Sequence, residues 1–120
     1  LEGLDEISLE GPTLIGELKD GEVSEYEIHP RDFGLSTRTT DTFKVNDPKE
    51  SIAILRSVLD DKAGPAHDIV CLNAGAALYA ADIASSIGEG ILMAQQSINS
   101  GRAREKLAQF IQTTQSLAKA

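Results

Sequence analysis

The chain has one cysteine, one methionine, no tryptophan, two tyrosines and three phenylalanines among 120 residues. A single thiol excludes an internal disulfide framework and a Cys-x-x-Cys redox pair. Cys71 sits in an apolar helical run and reads as an inert core thiol. No run of about 18 apolar residues is present to span a bilayer, and no basic-then-apolar leader opens the chain. These absences point to a soluble cytoplasmic protein without a membrane partner. Bases are also scarce, 11 Lys and Arg against 19 Asp and Glu, for a formal charge of −8. Such a surface repels nucleic-acid phosphates, whose binding needs clustered cations. Internal repeats, low-complexity tracts, a Gly-rich phosphate loop, Cys and His metal spacing and a Ser-His-Asp arrangement are all missing.

The sequence alternates between apolar and polar residues over Thr13–Leu18 and again over Val23–Ile28, with Lys19-Asp20-Gly21-Glu22 between. That pattern predicts a β-hairpin spanning about 12–28, because Asp-Gly supplies the two positive-φ positions of a type I′ turn. Glu17, Glu25 and Glu27 fit a solvated face, and Gly16 marks a bulge or a close backbone approach. His29 before Pro30 reads as a turn residue ending the second strand. Arg31 to Gly34 can close one helical turn, and Leu35 to Asn46 reads as a surface loop.

From 47 to 120 the pattern is helical. Asp47-Pro48-Lys49-Glu50 combines an N-cap, proline at the first helical position and Glu at the third. The helix it starts runs to about Asp60, with Ile52, Leu55 and Leu59 on one stripe and Ile54 and Val58 beside it. Ala63-Gly64-Pro65 restarts the chain, and Ile69 to Ala81 is apolar or small almost throughout, which predicts a helix buried all round. Asn73 within it needs hydrogen-bond partners if buried, and Gly75 weakens helix propensity unless packing outweighs it. His67, in the first turn, reads as a surface residue. Ser86-Ile87-Gly88-Glu89 is a capping box, followed by a stripe of Ile87, Gly90, Ile91, Ala94 and Ile98. Ser100 is the expected cap of a last helix carrying Ala103, Leu107, Phe110 and Ile111 toward neighbours. Its bases Arg102, Arg104 and Lys106 are either solvated or face an acidic surface.

The one constellation with chemistry in it is Asp5-Glu6, just ahead of the first strand. Two adjacent hard oxygen donors suit Mg²⁺ shared with a phosphate, although an isolated acidic pair also reads as a solvated loop. Residues 1–50 hold 13 acids and 5 bases, so a free pyrophosphate would be repelled here unless cations intervene. The surrounding residues decide between the two readings. Gly3-Leu4-Asp5-Glu6-Ile7-Ser8, Gly11-Pro12-Thr13, His29-Pro30-Arg31-Asp32-Phe33-Gly34-Leu35 and Leu72-Asn73-Ala74-Gly75-Ala76-Ala77-Leu78-Tyr79 resemble, in this order, the C-terminal part of the anthranilate phosphoribosyltransferase family.

The likeness covers nearly the whole chain. It implies that 1–120 is a C-terminal fragment of an α/β catalytic domain of the nucleoside phosphorylase and phosphoribosyltransferase type, with a hairpin and loop over 1–46 and a helical part over 47–120. In the family the acidic pair is a magnesium site for phosphoribosyl pyrophosphate, which assigns Asp5 and Glu6 as metal ligands and Mg²⁺ as cofactor. The Gly-Thr-Gly-Gly-Asp loop, the Asn and Ser after it, the Lys-His-Gly-Asn segment and the anthranilate-contacting Arg of the family are absent here. No catalytic base is therefore assigned to this chain. The first residue is Leu1 and the only methionine is Met93, so the natural start is expected elsewhere. The resemblance implies a homodimeric transferase of tryptophan biosynthesis acting on phosphoribosyl pyrophosphate and anthranilate, with the fragment alone inactive. The other reading is a non-catalytic acidic helical interaction module.

Overall fold

The computed structural model describes residues 5–120. In chain order it holds β1 (Thr13–Lys19), β2 (Glu22–Ile28), 3-10 turns at Pro30–Phe33 and Thr40–Phe43, and four helices: α1 (Pro48–Leu59), α2 (Pro65–Ala80), α3 (Ile87–Asn99) and α4 (Arg102–Ala118). This is the expected α/β succession of one antiparallel hairpin and four helices.

Local chemistry explains most of these boundaries. Asp20 (φ 53°) and Gly21 (φ 79°) both take the left-handed conformation that a tight hairpin turn needs. Pairing then runs without interruption from Lys19↔Glu22 to Thr13↔Ile28. Gly16 lies opposite Glu25 in that register with nothing within 4 Å of where a Cβ would stand, so it is neither a bulge nor a close approach. His29 caps the first 3-10 turn, its Nδ1 accepting from the Arg31 N–H at 3.1 Å while Asp32 accepts from the His29 N–H at 2.8 Å. Gly34 ends the turn at φ 73°.

The helix starts follow the same logic. Asp47 Oδ1 accepts from the Glu50 N–H at 2.9 Å, and Glu50 reaches back to the Asn46 N–H at 2.7 Å. Ser86 Oγ accepts from the Glu89 N–H at 3.0 Å. Both satisfy donors that a helix cannot bond internally. Ser100 departs from expectation. It closes α3, and Gly101 at φ 83° precedes α4 without any side-chain cap. The short link between the two helices needs a left-handed residue, and glycine adopts it without steric cost.

Leu9, Leu35, Val58, Cys71, Leu72, Ile91, Ala94 and Ile98 form the core, with Phe33, Phe43 and Ile69 packed against it. The 35–46 segment is thus only partly a surface loop, since Leu35 and Phe43 pin it to the helices. The tightest contact joins α2 to α3. A Cβ on Gly75 would stand 2.5 Å from the Ile91 nitrogen, and one on Gly90 would overlap the Gly75 carbonyl. The two backbones meet where neither helix has a side chain.

Three expectations about helix faces need correction. On α1 the inward residues are Ile54 and Val58, while Ile52 (53% exposed) and Leu55 (49%) face out. The apolar stripe is wide enough for either edge to turn inward, and contact with α2 selects one. On α2, Cys71, Leu72 and Gly75 are buried but Val70 is 43% exposed, so the helix is not covered all round. On α4 no residue is buried, and Phe110 and Leu117 lie open. Arg104 is not merely solvated: its Nη2 lies 3.1 Å from Asp60 and 3.3 Å from the Leu59 carbonyl. There it meets the negative end of α1, a surface pair worth at most about 1 kcal/mol.

The two kinds of glycine predict opposite substitutions. Gly90→Ala gains about 1 kcal/mol of helix propensity but forces two backbones apart, and overpacking of about 3 kcal/mol outweighs it. Gly16→Ala meets open space and stabilises the strand by roughly 0.5 kcal/mol. Urea unfolding midpoints of the two variants should move in opposite directions.

Candidate functional site

Asp5 and Glu6 form an exposed bend ahead of β1. Gly3 and Leu4, which open the same motif, lie outside the described residues. Directly after the pair the chain dives inward. Ile7 is half-buried, Ser8 is 3% exposed and Leu9 is 1% exposed in the core. Ser8 Oγ accepts from the Glu10 N–H at 2.8 Å, and the Leu9 carbonyl accepts from the Arg38 N–H at 2.9 Å. Two solvent-facing carboxylates are therefore carried on a segment whose next residues are fixed.

Asn73 supplies the fixing on the near side. Its Oδ1 accepts from the Ile7 N–H at 2.8 Å, and its Nδ2 donates to the Ile7 carbonyl at 2.9 Å and the Ile69 carbonyl at 3.0 Å. The carboxamide thus spends both donors and its acceptor on backbone, which answers the demand that a polar side chain on this apolar helix be satisfied. Periodicity and composition mark Asn73 as an anomaly on α2. They carry no signal that its partner lies 66 residues earlier.

A second polar cluster ties the hairpin to α2. Glu17 accepts from the Tyr26 hydroxyl at 2.7 Å and from the Tyr79 hydroxyl at 2.6 Å. The Lys19 ammonium lies 5.8 Å over the Tyr79 ring. Glu17 therefore departs from the solvated face assigned to it and points with Ile15 and Tyr26 into a cleft of about 480 Å³ between hairpin and helix, which Ile7 also lines. The phenol hydrogen bonds, Tyr79 first, hold the Glu17 carboxyl below its usual 4.5. Burial, then the bond to Glu17, pushes Tyr26 up to about 12. The Tyr79 phenol is raised chiefly by its bond to Glu17.

One arrangement imitates a nucleophilic triad. His67 Nε2 lies 2.9 Å from Asp61 Oδ1, and its Nδ1 is 3.8 Å from Cys71 Sγ. The histidine is half-buried, not on the surface as its place in the first turn of α2 suggested. Cys71, however, is 0% exposed, and burial raises its thiol to about 11. A buried thiol kept protonated can neither meet a substrate nor attack one. Asp61 also accepts from Asn99 Nδ2 at 2.9 Å, so the cluster joins the α1–α2 turn to the end of α3. A cleft of about 790 Å³ between α2, α3 and the start of α4 is walled by Val70, Leu78, Met93 and Ile98, and among the described residues Arg102 is its one charged lining residue. It offers no acid or base.

Among the described residues, no group of three His, Cys, Asp or Glu side chains can enclose a metal ion, and no helix is long and apolar enough to cross a membrane. The chemistry available to Asp5 and Glu6 is that of two hard, solvent-facing oxygen donors. That donor set fits Mg²⁺, which keeps several waters and is bound through one or two carboxylates together with substrate phosphates.

A hairpin docked on a helical bundle makes this chain a piece of an α/β domain. The chain belongs to the family described as "Glycosyl transferase family, a/b domain", whose model matches residues 1–104. It is 65% identical over 114 residues to the anthranilate phosphoribosyltransferase of Polynucleobacter necessarius subsp. necessarius (strain STIR1), across 95% of this chain and 33% of that protein. The crystal structure of anthranilate phosphoribosyltransferase from Thermus thermophilus superposes with a TM-score of 0.81 at 33% identity, covering 92% of this chain and 32% of that one. A variant of the Saccharomyces cerevisiae enzyme solved with Mg bound gives 0.83 at 29% identity, covering 95% and 33%. The chain thus spans about a third of the length of the relatives it matches.

The Glu17 cluster predicts a pH window. A depressed carboxyl adds stability above 4.5 that is lost as pH falls through its folded value, and a raised phenol adds stability below 10.0 that is lost as pH rises through about 12. Glu17→Gln removes the main cause of the Tyr79 shift but leaves the burial of Tyr26. Phenolate absorbance during alkaline titration should then move most of the way to 10.0 for one tyrosine and only part of the way for the other. Two unchanged titrations would show that the carboxylate does not hold the phenols.

Proposed function

We propose that the chain is the C-terminal third of an anthranilate phosphoribosyltransferase of tryptophan biosynthesis, and that Asp5 and Glu6 hold Mg²⁺ for its phosphoribosyl pyrophosphate. The observation that carries the reading is an exposed carboxylate pair on a backbone fixed at its next residue. The names of the relatives support the substrates, and the yeast variant solved with Mg bound supports the metal.

In the reaction proposed, the amine nitrogen of anthranilate forms a bond to the anomeric carbon. The bond from that carbon to the pyrophosphate oxygen breaks, its electron pair leaves with pyrophosphate, and the amine loses a proton. Magnesium held by Asp5 and Glu6 would supply neutralisation of phosphate charge. The two carboxylates would hold and orient that cation, which would stand between an acidic protein surface and an anionic substrate that otherwise repel. Among the described residues none stands as the acceptor of the amine proton, and we assign that role to the rest of the full-length enzyme. The fragment alone is accordingly inactive. The same resemblance carries a cytoplasmic homodimer, to be read by cell fractionation and sedimentation of the full-length protein. A non-catalytic acidic helical interaction module is the other reading, and the open faces of α4 favour it.

Replacing Asp5 by Asn and Glu6 by Gln together in the full-length enzyme should lower turnover by on the order of 100-fold or more, as loss of transition-state charge stabilisation does. The magnesium concentration for half-activation should rise with it. Magnesium kinetics identical to those of the unaltered enzyme would remove the pair from the mechanism. Magnesium-dependent binding of phosphoribosyl pyrophosphate by the full-length protein separates the transferase from the interaction module.

A further inference from the structure

We propose that Asn73 is a positioning residue for the acidic pair, holding the Glu6–Ile7 peptide so that both carboxylates address one cation. The inference rests on the metal reading above and deepens it. The Ile7 N–H belongs to the peptide that leaves Glu6, and Asn73 Oδ1 accepts it at 2.8 Å while Nδ2 donates to the Ile7 carbonyl at 2.9 Å. A two-point bridge of this kind restrains the peptide plane on each side of Ile7. The plane before Ile7 fixes the position of the Glu6 Cα, from which that side chain leaves the backbone.

The third bond, from Nδ2 to the Ile69 carbonyl at 3.0 Å, holds the carboxamide itself against α2. Its rotamer is thereby held from the helix as well as from the segment it grips. Beyond Ile7 the chain is held again, at Ser8 and Leu9, by burial and by the Arg38 N–H. Asp5 and Glu6 are exposed immediately upstream, and among the described residues the Asn73 bridge is the restraint that adjoins them. A pair of short carboxylates can share one small cation only if their backbone is held in one orientation. Asn73 thus acts on the ion through the peptide and not by touching it, in the manner of the outer partners that orient metal ligands.

The test uses full-length enzyme and two readouts: Mn²⁺ binding followed by electron paramagnetic resonance in the presence of phosphoribosyl pyrophosphate, and steady-state kinetics. Asn73→Ala removes the bridge. The near-isosteric Asn73→Leu fills the same volume without the bonds and serves if the alanine variant fails to fold. Each should weaken Mn²⁺ binding about 10- to 100-fold with little change in the KM for anthranilate. Asp47→Ala controls for general destabilisation, because it removes the cap of α1, away from Asn73 and the acidic pair, and should leave Mn²⁺ binding unchanged. Wild-type Mn²⁺ affinity in a folded Asn73 variant, with Asp5→Asn/Glu6→Gln weakened, overturns the role of Asn73 alone. Equal weakening by Asp47→Ala overturns it as well, by showing that lost stability suffices. Undiminished binding by Asp5→Asn/Glu6→Gln overturns the metal reading and this inference together.

Discussion

The close approach of α2 and α3 at Gly75 and Gly90 is the constraint from which the rest of the structure follows. With a Cβ at either position the two backbones would collide, and the buried stripe of α3 would be pushed away from Cys71 and Leu72. Close-packed cores respond to displacements of that size with losses of several kcal/mol. Because the contact is made by backbone, α2 is held at a definite depth against α3. The faces of α2 that grip other elements are therefore held at definite depth as well.

Two such faces reach other elements. One carries Asn73 to the Ile7 backbone, and another carries Tyr79 to Glu17 on the hairpin. A two-stranded hairpin is weak on its own in water. Here its inner face is bonded to the helix through one carboxylate that accepts from two phenols, and the entry segment is bonded through one carboxamide. The acidic pair is exposed to solvent directly ahead of a backbone held at Ile7.

Sequence and structure agree where an element is decided by its own residues. Asp20-Gly21 makes a tight turn because those two residues tolerate positive φ. Asp47 and Ser86 start helices because a short side chain brings an oxygen to an otherwise unbonded N–H. The α3 stripe of Gly90, Ile91, Ala94 and Ile98 is buried as the helical period demands. Disagreement begins where a partner must be chosen. Glu17 fits the solvated alternation of β1, yet Tyr26 on the paired strand and the distant Tyr79 on α2 make the inner face habitable for a charge. Arg104 finds the end of α1, and α1 turns Ile54 and Val58 inward in place of Ile52 and Leu55.

The order of residues alone therefore determined the succession of hairpin and helices, the caps at Asp47 and Ser86 and the inertness of the thiol, since each depends on chain geometry within a few residues or on a motif read in line. Tertiary structure alone decided which helix faces are covered, that Glu17 is a clamp, and that Asn73 reaches across 66 positions to the peptide beside Glu6. Those outcomes depend on distances between elements, which hydrophobic period and capping do not encode. They were set when two glycines let α2 and α3 close to backbone contact.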